Sequence, residues 1–116
     1  MNSQPLKIRI THCNNVAMGP GKADLLDAID SCGSISAAAK QMGMSYKRAW
    51  DLVDLINTSF KEPLIVTSPG GKHGGGAKLT DFGRFILSNY RTLVDKTYNS
   101  TEAELGNILS NLKPAE

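Results

Sequence analysis

Apolar and charged residues alternate through Leu6-Lys7-Ile8-Arg9-Ile10, the period of a half-buried strand with Leu6, Ile8 and Ile10 on one face. His12 to Asn15 reads as a turn, and Met18-Gly19-Pro20-Gly21 breaks the chain. The period then lengthens. Leu25, Leu26, Ile29 and Cys32 recur at helical spacing and predict a helix from about Lys22 to Ser31, stopped by Gly33. Asp24, Asp27 and Asp30 fall on its other side as a solvated stripe. Ile35, Ala38, Ala39 and Met42 share one face of a second, short helix, which Ser34 or Ser36 can cap and Gly43 can end in the left-handed conformation. Ser45 caps a third helix, Tyr46 to Ser59, whose apolar stripe is Ala49, Val53, Ile56 and Phe60.

After Pro63 the pattern changes again. Leu64 to Thr67 is short and β-branched, a strand signal. Ser68 to Gly76 carries five of the chain's eleven glycines and is expected to hold no regular structure. Ala77 to Thr80 pairs back, closing a hairpin with a basic tip. Thr80 caps a long helix to about Asn99 that carries Phe82, Phe85, Ile86, Tyr90, Leu93 and Val94. Leu105, Ile108, Leu109 and Leu112 form a last amphipathic segment. Two helices joined by a glycine turn and followed at once by a hairpin make a winged helix-turn-helix. The expected fold is therefore mostly α with a small β-component, a short N-terminal strand and a long C-terminal dimerisation helix. Residues 1–100 form the winged domain and 101–116 a helical tail.

Composition narrows the function. A chain of 116 residues is one domain's worth, and 41% hydrophobic with 21% charged residues excludes a disordered chain. No apolar run approaches the roughly 20 residues of a membrane span, and no signal-peptide core precedes Ile10. Two cysteines make no disulfide framework, so the expected setting is the cytoplasm. The net charge of +2 is modest, but its distribution is not even. Residues 40–48 hold Lys40, Lys47 and Arg48 without an acid, and residues 68–80 hold Lys72, His73 and Lys78, again without one. Two acid-free basic islands suit a nucleic-acid reader.

The major groove is about 12 Å wide and admits one helix, the second of the pair, with its leading turn at the base edges. That turn is Ser45, Tyr46, Lys47 and Arg48. Arg48 is the expected base reader, through a bidentate contact to guanine, with Lys47 on a base or a phosphate; both fall within one helical turn, so the two roles can be exchanged. Ser34 and Ser36, with the N–H groups at the start of the second helix, face a phosphate. Lys72, His73 and Lys78 on the hairpin meet the backbone. Trp50 is read as a packing residue, with a phosphate contact from its indole N–H as the alternative, and Asp51 and Asp54 as helical partners of Lys47 or Arg48 or as acceptors from a cytosine amino group. No enzyme is expected: the carboxylates of the first helix have no nucleophile near them. Gly19-Pro20-Gly21-Lys22 fails as a P-loop, since Val16 and Ala23 stand where glycine and a hydroxyl residue are required. His12, Cys13 and Cys32 are too few for a metal site, and no cofactor is expected. A winged helix that binds protein rather than DNA is the alternative; it would not need both islands to be basic.

Gly33-Ser34-Ile35-Ser36, Ala38-Ala39-Lys40 and Gly43-Met44-Ser45-Tyr46-Lys47-Arg48-Ala49-Trp50-Asp51 resemble the N-terminal DNA-binding domain of the molybdate-dependent transcriptional regulator (ModE) family. The hairpin agrees, with Gly70-Gly71-Lys72-His73-Gly74-Gly75-Gly76-Ala77, then Leu79-Thr80 and Gly83. A weaker similarity links the chain to LysR-type regulators. The resemblance implies a double-stranded-DNA-binding regulator of molybdenum-transport or molybdoenzyme genes. The Ser-Ala-Arg-Asn motif of the family's molybdate-binding domains is missing, so a stand-alone domain or a fragment is expected, without direct molybdate binding. A homodimer is expected because Leu93, Leu105, Ile108, Leu109 and Leu112 would otherwise expose an apolar stripe. Symmetric pairing places two reading helices about 34 Å apart, one DNA turn.

Overall fold

The computed structural model describes residues 4–71 and 74–115. The element order is β1 (Ile10–His12), β2 (Asn15–Met18), α1 (Pro20–Cys32), α2 (Ile35–Met42), α3 (Tyr46–Ser59), β3 (Ile65–Gly71), β4 (Gly74–Leu79), α4 (Asp81–Ser100) and α5 (Glu102–Leu109). The two hairpins form separate two-stranded antiparallel sheets. α1 starts at Pro20, two residues earlier than expected, because the ring's fixed φ suits the first helical position. Ser34 caps α2 by accepting from the Ala37 N–H at 3.0 Å, and Ser45 caps α3 by accepting from the Arg48 N–H at 3.0 Å. Gly33 and Gly43 end α1 and α2 at φ 81° and 68°, in the left-handed region that favours glycine.

The core is built on α1, whose Leu25, Leu26 and Ile29 are fully buried. Ala38 and Ala39 let α2 close on it, and Val53 and Ile56 of α3, Leu64, Ile65 and Leu79 of the second hairpin, and Leu87 and Tyr90 of α4 complete it. Polar contacts tie the layers together. Asp24 and Asp27 both accept from Arg91, and Asp30 accepts from Arg84 at 2.9 Å, so the acidic stripe of α1 anchors α4 rather than merely facing water. Asn57 near the end of α3 accepts from the Leu64 and Ile65 N–H groups at 2.9 and 3.1 Å and donates to the Ile65 carbonyl at 3.0 Å. Thr80 caps α4 and donates to the Pro63 carbonyl at 2.8 Å. Ala77 donates to the Gly33 carbonyl at 2.8 Å, which seats the base of the hairpin against the α1–α2 turn.

Three expectations are corrected. Leu6 to Arg9 is not in a strand. Its backbone runs along α4 instead: Tyr98 Oη accepts from the Leu6 N–H at 2.8 Å and donates to its carbonyl at 2.6 Å, and Tyr90 Oη donates to the Ile8 carbonyl at 2.7 Å. Side-chain hydroxyls replace a partner strand. The first hairpin begins only at Ile10 and turns at Cys13 and Asn14, both at positive φ, the two-residue turn whose twist matches the flanking strands. Second, the described part of the glycine stretch, residues 68–71 and 74–76, pairs as a ladder beyond Thr67. β3 and β4 pair out to Gly71 and Gly74, with a register shift between Ser68 and Gly71. A ladder needs backbone rather than side chains, and Pro69, which has no N–H to give, lies within the shifted segment. Third, Phe85 leaves the apolar stripe of α4 and is 62% exposed. Helix periodicity stops at Ser100, and α5 starts after Thr101 with no buried residue.

Candidate nucleic-acid interface

At 100° per residue the side chains of α3 sort into four sectors. Ala49, Val53 and Ile56 are buried in the core. Lys47, Asp51 and Asp54 lie opposite, exposed, with Lys47 Nζ 3.0 Å from Asp51 as expected. Tyr46 and Trp50 occupy one flank. They line a groove of about 420 Å³ with Ser34 and Ser36 at the start of α2 and Thr67, Ser68 and Gly76 of the hairpin. Tyr46 is 56% exposed and meets the half-buried Trp50 edge-on, ring centroids 6.2 Å apart. Trp50 packs on the core from this side, as a packing residue should.

The opposite flank carries Arg48 and Leu52. They line a second groove, of about 450 Å³, with Lys7 and Arg9 of the N-terminal segment and Lys22 of the first turn of α1. Burial pulls the Lys22 ammonium below its usual range, and the Arg48 and Arg9 guanidiniums push it the same way. Arg48 thus stands among cations contributed by three parts of the chain. Lys78 is exposed on β4, the strand that runs back to the core. Lys72 and His73 lie outside the described residues. Sequence reasoning missed Lys7, Arg9 and Lys22. The signal was present: no Asp or Glu precedes Asp24.

Of the expected dimerisation residues, Leu93 is 41% exposed, Leu105 is half-buried, and Ile108, Leu109 and Leu112 are exposed. Leu93 also borders an apolar groove with Ile10, Phe60, Ile86 and Tyr90. Cys32 donates to Gln41 Oε1 at 2.7 Å, and Cys13 is exposed. Among the described residues no cluster of three or more His, Cys, Asp or Glu has metal-binding geometry, and no helix is long and apolar enough to cross a membrane.

Known proteins resemble this chain in sequence and in fold. The chain is 48% identical over 77 residues to the molybdenum transport protein ModE of Azotobacter vinelandii, covering 66% of this chain and 28% of that protein. It is 44% identical over 102 residues to the molybdenum-pterin-binding protein MopB of Rhodobacter capsulatus, covering 85% of this chain and 36% of that one. The chain therefore spans about a third of the length of these curated relatives. The crystal structure of the CbnR_DBD–DNA complex superimposes with a TM-score of 0.57 at 17% identity, over 76% of this chain and 95% of that one, a likeness of fold. The family model for bacterial regulatory helix-turn-helix proteins of the lysR family matches residues 22–84, which run from the first turn of α1 through the hairpin into α4. On that match, more than half its length, the chain belongs to the lysR family of bacterial regulatory helix-turn-helix proteins.

Proposed function

We propose that this chain acts as a sequence-specific, double-stranded-DNA-binding transcriptional regulator, working as a homodimer. The observation that carries the reading is the leading turn of α3. Ser45, Tyr46, Lys47 and Arg48 are all exposed there, between two grooves that contain no acid. A helix with side chains is about 10–12 Å across and fills a major groove of about 12 Å. Lys47 then faces the base edges, with Ser34, Ser36, Tyr46 and Lys78 toward the backbone of the wing-side strand; Lys72 and His73, outside the described residues, join the proposed contact set by sequence alone. Residues 1–100 act as the DNA-binding unit, and the tail 101–116 pairs with a second copy through Leu105, Ile108, Leu109 and Leu112, with Leu93 of α4. The names of the relatives support genes of molybdenum transport or use as targets.

Selection of duplexes from a random library, followed by fluorescence-anisotropy titration, tests the reading. A selected duplex should bind at least about a thousandfold more tightly than random DNA at physiological salt. Equal, weak binding to all duplexes removes sequence-specific regulation. No binding even at low salt leaves the fold in use as a protein-interaction module.

A further inference from the structure

We propose that Lys7, Arg9, Lys22 and Arg48 form a second phosphate-holding site, on the flank of α3 opposite the wing, that grips the DNA strand the wing does not reach. The inference rests on the DNA-binding reading above and assigns three residues to the interface that the helix-turn-helix pattern does not contain.

The argument begins with charge that folding has gathered. Lys7 and Arg9 come from the N-terminal segment, Lys22 from α1 and Arg48 from α3, yet all four line one groove. No acidic side chain lines it. Among the described residues the ion pairs involve Lys47, Arg84 and Arg91, and none of these four. Lys22 is half-buried among them; burial first, and then the Arg48 and Arg9 charges, disfavour its ammonium, which an anion in the groove would relieve. A fold whose Asp24, Asp27 and Asp30 are spent on α4, away from this groove, leaves the cluster to an anion from outside.

Position identifies the anion. Tyr46 and Trp50 sit about 200° around α3 from Arg48 and Leu52. When α3 lies in the major groove, its outward face, with Lys47, meets the bases and its two flanks meet the two sugar–phosphate strands. The wing stands on the Tyr46 flank. The four-cation groove stands on the other, so its ligand is the backbone phosphodiester of the opposite strand. Arg48 then holds a phosphate, and base reading passes to Lys47. The N-terminal segment is held in place for this by the Tyr90 and Tyr98 hydroxyls on the Ile8 and Leu6 backbone, one residue to either side of Lys7.

The test is the salt dependence of affinity for Lys22→Gln, Arg9→Gln and Arg48→Gln, measured on the selected duplex and on random DNA, with Lys61→Gln as an exposed control. Each site variant should lower the slope of log K against log salt by about 0.9. Each should weaken binding to both duplexes by the same factor, while Lys47→Ala loses discrimination between them. Circular dichroism checks folding, and the exposed Arg9 serves if Lys22→Gln unfolds. Wild-type slopes in Lys22→Gln and Arg9→Gln overturn the site while leaving DNA binding standing. Failure of the wild-type chain to bind any duplex removes both. Arg48→Gln that loses affinity only on the selected duplex returns Arg48 to base reading and overturns its place here. Inorganic phosphate that binds the groove at sub-millimolar concentration, with unchanged DNA slopes in the variants, makes it a free-anion site instead and overturns the assignment to DNA.

Discussion

Asn57→Ala should be among the most damaging single changes in this chain, although Asn57 touches none of the proposed DNA surface. Ile65 is paired with Leu79, and Thr80 donates to the Leu64 carbonyl at 2.9 Å, the pattern of a non-hydrogen-bonded position in an antiparallel ladder. The N–H and carbonyl of Ile65 therefore point away from β4. Asn57 satisfies both, and the Leu64 N–H as well, so one side chain stands in for a missing neighbouring strand. Leu64 and Ile65 are 0% and 2% exposed, which keeps water from replacing it freely. Each orphaned buried group costs about 1–3 kcal/mol; with partial relief from a water in the space left by the amide, the total loss is about 2–4 kcal/mol. Against a typical total of about 5–15 kcal/mol, this is a large fraction. Urea titration followed at 222 nm, with variant and wild type at one fixed protein concentration so that dimer mass action is the same for both, measures it. Asn57→Leu separates causes: it fills the space but offers no partner and keeps water out, so it should cost at least as much as alanine. A loss below about 0.5 kcal/mol in Asn57→Ala, or a leucine variant clearly more stable than the alanine one, refutes the hydrogen-bond account and leaves only a packing effect.

Gly83→Ala should destabilise by at least about 2 kcal/mol in thermal melts despite alanine's better helix propensity, because a Cβ there would collide with the Leu64 carbonyl oxygen, a backbone atom that cannot swing aside; an unchanged or raised midpoint contradicts this. Burial raises the Tyr90 phenol above its ordinary value, so the unfolded chain ionises first. The contribution is then fully present below about pH 10 and lost as pH rises through the folded value. Tyr90→Phe should flatten that alkaline decline and loosen the N-terminal segment, as hydrogen exchange at Leu6 to Ile10 would report. Leu109→Asp should shift the proposed dimer toward monomer in sedimentation at tens of micromolar protein and weaken binding to two-half-site DNA; retention of both the dimer and the affinity rules out α5 as the contact.

The helices, their caps and the winged order were legible in the chain because each rests on local physics. A hydroxyl at Ser34, Ser45 or Thr80 meets the N–H three residues on, a glycine at 33 or 43 takes the left-handed turn, and an apolar stripe at helical spacing declares its buried face. The leading turn of α3 was legible for the same reason, since its residues are neighbours in sequence. What lay beyond local reach is what joins distant segments. Leu6 to Ile10 has a strand's alternation, but the partner it found is a pair of tyrosine hydroxyls more than 80 residues away. The acidic stripe of α1 looks like a solvated face until α4 brings Arg84 and Arg91 to it. Asn57 is an ordinary polar residue until β3 needs a partner. The groove of Lys7, Arg9, Lys22 and Arg48 exists only once three separate segments meet, since periodicity describes how one element divides its own surface and tertiary packing alone decides which charges share a cleft.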